Sequence, residues 1–129
     1  MSTFRSFTEI ESWQKARELT KRIYSVSGKN EFSRDFSLKD QIRRASVSIM
    51  SNIAEGFERG GNKEFVHFLS LAKGSLGEIR SQLYVASDQR YVIETEFNEL
   101  MLIANEVGNK IGGLITYLRR SGIKGIKFK

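Results

Sequence analysis

The sequence predicts an all-α protein, an antiparallel, up-down-up-down four-helix bundle. Three observations predict it. Apolar residues recur three or four apart through four long segments, the spacing of a helix with one buried face. The segments are joined by short stretches rich in Gly, Asn and Ser. Proline is absent from all 129 residues, which long helices with short links tolerate and irregular β folds do not.

The first helix is expected over 9–27. Thr8-Glu9-Ile10-Glu11 has the form of a capping box, with Thr8 accepting from the Glu11 N–H and Glu11 reaching back. Ile10, Trp13, Ala16, Thr20, Ile23 and Tyr24 share one face, with Trp13 as a core anchor, and Gly28 is placed to end the helix in a left-handed conformation. In the connection over 29–36, Phe32 and Phe36 are expected to pin the chain to the bundle.

The second helix is expected over 38–58, starting near Ser37 with Asp40 as its capping partner, and broken by Arg59-Gly60-Gly61. The fold is organised around its stretch 41–56, QIRRASVSIMSNIAEG. One stripe is Ile42, Ala45, Ile49 and Ile53. A second, displaced row is Val47, Met50, Ala54 and Phe57. A bundle helix needs one apolar stripe, so the second row predicts an interface with a further copy or partner.

The third helix is expected over 63–89, with Asn62 as N-cap and Glu64 suited to the positive end of its dipole. Its stripe runs from Phe65 through Phe68, Leu69, Ala72, Leu76, Ile79 and Leu83 to Ala86. Gly74 and Gly77 lie inside it and predict close approach to a neighbouring helix. After a turn at Arg90–Glu94, the fourth helix is expected over 95–121, with Phe97, Leu100, Ala104, Val107, Ile111, Ile115 and Leu118 inward. Gly108, Gly112 and Gly113 are expected to pack tightly there. A basic tail, 119–129, follows.

Composition narrows the function. The length fits one domain with its own core. No cysteine is present, which excludes disulfides and thiolate metal sites. No signal pattern and no apolar run long enough to span a bilayer stands in the sequence, so a soluble, cytoplasmic protein without membrane contact is expected. Net charge is +6, and Arg119, Arg120, Lys124, Lys127 and Lys129 supply five of those charges with no acid among them. Such a concentration suits either a solvated tail or an arm for phosphate backbone.

No residue pattern points to a reaction. Glu64-Phe65-Val66-His67 is a Glu-x-x-His, but a di-iron bundle needs two such motifs and the chain has one His, so His67 is expected at the surface and no metal or cofactor is predicted. Neither a nucleophile elbow nor a phosphate loop is present. Glu55 and Glu78 fall near the apolar stripes. They are read, with Asn52, as structural polar residues, paired with Arg43, Arg44 or Arg80, rather than as catalytic carboxylates. Binding remains. Arg43, Arg44, Arg59 and Lys63, with Arg119, Arg120, Lys124 and Lys127 of the tail, are the candidates for a basic nucleic-acid surface. No aromatic-interleaved basic motif for base stacking is visible along the chain.

The stretch 41–56 resembles a family of small bacterial four-helix-bundle proteins, some encoded by intervening sequences inside 23S ribosomal RNA genes. The resemblance rests on Gln41-Ile42-Arg43-Arg44-Ala45, Ser48-Ile49 and Ser51-Asn52-Ile53-Ala54-Glu55-Gly56. It extends to Trp13, Ala16, Leu19, Ile23-Tyr24, Glu64-Phe65, Phe68-Leu69, Ala72, Gly74-Ser75 and Glu78 through Leu83. Met50 stands where the family usually has proline, and Arg90-Tyr91 replaces the more usual Gly-Tyr. The resemblance implies the antiparallel bundle, a ring-shaped homopentamer, and kinship with accessory proteins of diversity-generating retroelements, which bind nucleic acid and a reverse transcriptase. It brings no catalytic residues. Two readings follow: an oligomeric, non-enzymatic scaffold binding RNA or DNA, and a protein-interaction module whose partner is a polypeptide such as a reverse transcriptase.

Overall fold

In a computed structural model, which describes residues 4–122, the four stripes become four helices. These are α1 (Glu11–Ser27), α2 (Phe36–Arg59), α3 (Asn62–Asp88) and α4 (Glu94–Gly122), with short 3-10 turns at Phe7–Glu9 and Asn30–Arg34. Each helix packs on its two neighbours in an antiparallel ring, α1 on α2, α2 on α3, α3 on α4 and α4 on α1. The core is one cluster. Leu19, Ile23, Ile42, Ile49, Ile53, Leu69, Ile79, Leu83, Ala104, Val107 and Ile111 are buried in it from all four helices.

The helix ends differ from expectation in instructive ways. The capping box does not form. Ser6 caps the first 3-10 turn by accepting from the Thr8 N–H, and Ile10 takes the N-cap of α1 with no side-chain bond. Gly28 ends α1 with φ −91°, outside the left-handed region. Asp35, rather than Ser37 with Asp40, caps α2, its carboxylate accepting from the Leu38 N–H at 3.0 Å. Gly60 does take the left-handed conformation, φ 83°. Asn62 is already helical and buried, and its Nδ2 donates to the Leu118 carbonyl at 3.4 Å, tying the start of α3 to the end of α4. Phe32 is fully buried, but Phe36 is 72% exposed, with the Lys39 amine over its ring. α2 is helical without interruption through Met50.

Arg90 adopts φ 63°, the conformation a glycine takes freely at the end of a helix. The turn it starts is secured by Tyr91. The Tyr91 ring stacks on Phe32, and its hydroxyl donates to Asp35 Oδ2 at 2.9 Å. That bond, and secondarily burial, raises the Tyr91 pKa above its ordinary value. A raised folded-state value means that the hydroxyl contributes stability below about pH 10 and loses it as pH climbs through the raised value. Tyr91→Phe is therefore less stable than wild type at neutral pH, and thermal melts in alkaline buffer show the gap closing. A gap that stays constant would exclude the Asp35 contact as its source.

Three ion pairs bridge α1 and α4: Glu11 with Lys110, Lys15 with Glu106, and Arg22 with Glu99. Each step along α1 is matched by an equal step back along α4. The pairs are exposed, so water screens each of them and each contributes little to stability.

Candidate functional site

With the core filled, the surface of α2 divides the predicted second row. Phe57 is buried and meets Phe65 edge to face at 6.3 Å, so it belongs to the bundle's own core. Its position in the last turn, where α2 closes against α3, turns it inward. Val47 is 42% exposed, and Met50 and Ala54 are half-buried. Beside them lies the outer edge of α1. Arg17, Thr20, Lys21, Tyr24 and Ser25 line an open groove with Met50. Tyr24, expected on the core face of α1, is 43% exposed.

The basic candidates do not form one surface. Antiparallel packing puts the starts of α2 and α4 at one end and the end of α2, the start of α3 and the end of α4 at the other. Arg43 and Arg44 lie toward the first end. Arg59, Lys63, Arg119 and Arg120 gather at the second, roughly 24 Å away along α2. Arg43 is also occupied. Its guanidinium stacks over Tyr24 at 4.4 Å, and its Nε donates to the buried Ser27 Oγ at 2.8 Å. A second donor reaches the Tyr24 carbonyl at 3.2 Å, satisfying the end of α1. Arg44 is exposed and pairs with Asp40. Lys124 and Lys127 lie outside the described residues.

At the second end, Arg59 pairs with Glu55 at 2.8 Å, a bond that raises its pKa, and its guanidinium lies 5.1 Å from the centre of the Phe68 ring. Glu55 is thus an exposed partner of Arg59 one turn on, not of Arg43 or Arg44, and breaking that solvent-screened pair costs little stability. Glu78 is exposed on α3 and takes no ion pair among the described residues. Asn52 is different. Its Nδ2 donates to the Ser48 carbonyl at 2.9 Å and to Ser48 Oγ at 3.0 Å, and Ser75 Oγ donates to the same Ser48 Oγ at 3.0 Å. This is a polar contact between α2 and α3 set within the apolar interface. His67 is exposed, as expected. No group of three His, Cys, Asp or Glu residues is placed to hold a metal among the described residues, and none of the helices searched there is long and apolar enough to cross a membrane.

The family model described as 23S rRNA-intervening sequence protein matches residues 8–113. The chain belongs to the 23S rRNA-intervening sequence protein family. The match runs into α4 as far as Gly113, beyond the first three helices that carry the motif resemblance. The chain is also similar to the crystal structure of a protein of unknown function from the S23 ribosomal protein family of Bacteroides thetaiotaomicron. That likeness has a TM-score of 0.73 at 22% identity, over 81% of this chain and 97% of the other, and is one of fold. A search of curated proteins finds no significant match.

Proposed function

We propose that this member of the 23S rRNA-intervening sequence protein family is a non-enzymatic scaffold. It associates with copies of itself through the outer α1–α2 face and holds nucleic acid on the basic end formed by Arg59, Lys63, Arg119 and Arg120. The observation that carries the reading is the apolar surface left over on α1–α2: Tyr24, Val47, Met50 and Ala54 remain accessible although the core is complete without them. Contiguous apolar surface of this kind marks an interaction site. The ring expected from the family resemblance is one assembly that would cover it.

Val47→Glu tests the association, because Val47 is 42% exposed and is not one of the buried core residues. Light scattering is expected to give several chains for wild type and a folded single chain for the variant. A wild-type mass of one chain at working concentration would end the scaffold reading. For nucleic acid, Glu55→Gln frees the Arg59 guanidinium. At low salt it is expected to tighten RNA binding about 2- to 5-fold, the scale of an exposed ion pair, and the gain is expected to fade as salt rises. Affinity that ignores salt would remove phosphate contacts from the account.

A further inference from the structure

The basic end carries aromatic surface that the linear sequence does not display. His67 and Phe68 are neighbours on α3, their rings meeting at 5.4 Å and 74°. Arg59 reaches Phe68 from α2, across the helix boundary. Phe68 is held from below, since its Cβ lies over Gly56, where a side chain on that residue would clash at 2.8 Å. The close approach at Gly56 brings the Phe68 backbone against α2, and Arg59 lies over the ring. Lys63, His67 and Leu71 succeed one another at four-residue spacing along α3, all exposed. Past them Gly74 adds no side chain and has open space around it. The result is an open platform on which the His67 imidazole is exposed, with the Phe68 ring edge-on beside it under the Arg59 guanidinium and the Leu71 side chain one turn further on.

We infer that the exposed His67 ring of this platform stacks a base of single-stranded RNA, with Lys63 and Arg59 on the phosphates that lead to it. The inference rests on the nucleic-acid half of the proposed function and adds the form of the ligand. Charge selects a polyanion, and rings selects unpaired bases over a duplex, whose bases are stacked on each other and present no face. Glu55 and Glu64 sit beside the same cations. They dilute the electrostatic contribution and leave stacking a larger share of the affinity.

The test uses the full chain, fluorescence anisotropy, a labelled single-stranded oligouridine of about twelve nucleotides and an RNA duplex of the same length, within the site sizes usual for such grooves. His67 is exposed, so His67→Ala leaves the core intact. It is expected to weaken single-strand binding about 5- to 100-fold, the range of one lost stacking contact, and to leave duplex binding within about twofold. His67→Tyr restores single-strand binding, and His67→Lys does not. Equal effects of His67→Ala on both ligands, or none on either, overturn the platform while the basic end stands. Binding of neither ligand by wild type overturns both.

Discussion

Gly56→Ala lowers the stability of the bundle, and Gly74→Ala raises it. Both glycines lie inside helices, where propensity alone favours alanine by about 0.5–1 kcal/mol. Their surroundings reverse the sign in one case. A Cβ on Gly56 would meet the Phe68 Cβ at 2.8 Å and the Phe65 ring at 2.9 Å. The first is anchored next to its own backbone, so α2 and α3 must separate, and overpacking of this kind costs about 1–3 kcal/mol. At Gly74 nothing lies within 4 Å, so the propensity gain is kept. Urea denaturation of the two variants measures the difference directly. Shifts of the same sign would mean that the α2–α3 contact at Gly56 is looser than described.

Arg43→Ala is the second large effect, and the adjacent Arg44→Ala is its control. Arg43 satisfies the buried hydroxyl of Ser27 and the Tyr24 carbonyl, and it covers the Tyr24 ring. Truncation leaves the buried Ser27 hydroxyl without that donor, while the Tyr24 carbonyl keeps only the Gly28 N–H, at a cost of about 2 kcal/mol. Lysine does not restore it, because one ammonium cannot stack and serve two acceptors in that geometry. Arg44 is exposed and pairs with the exposed Asp40, so its loss is expected to stay within ~0.5 kcal/mol. Thermal melts of the three variants distinguish the roles. Equal melting for Arg43→Ala and Arg44→Ala would return Arg43 to the pool of free surface cations.

These two sites also show what the sequence makes legible. The core stripes of Ile42, Ile49, Ile53, Leu69, Leu83 and Ile111 follow from helical spacing alone, and all are buried. The role of glycine does not follow. Gly56 and Gly74 look alike in sequence, and spacing predicts close approach at Gly74, Gly77, Gly108, Gly112 and Gly113 but not at Gly56. It occurs at Gly56 and Gly108, while the other four have open space. Which glycine meets a neighbour depends on crossing geometry, which periodicity does not encode. Caps were misplaced for a related reason. Asp35 outcompetes Ser37 because the preceding 3-10 turn delivers it to the helix start. In the linear sequence the basic surface is a sum of charges along the chain. Antiparallel packing separates Arg43 and Arg44 from Arg59, and it brings the aromatic pair of α3 to the cations of α2, a meeting that no linear motif announces.

The matched steps of the α1–α4 ion pairs have a consequence beyond their small energies. If α4 slid one turn in one direction, Glu106 would come to Glu11 and Glu99 to Glu18. If it slid one turn in the other, Lys110 would come to Lys15. Oily stripes alone would allow either displacement, since one isoleucine seats much like the next. Of these three alignments only the observed one sets no like charges face to face, so electrostatics as well as fit opposes a one-turn slip of the helix.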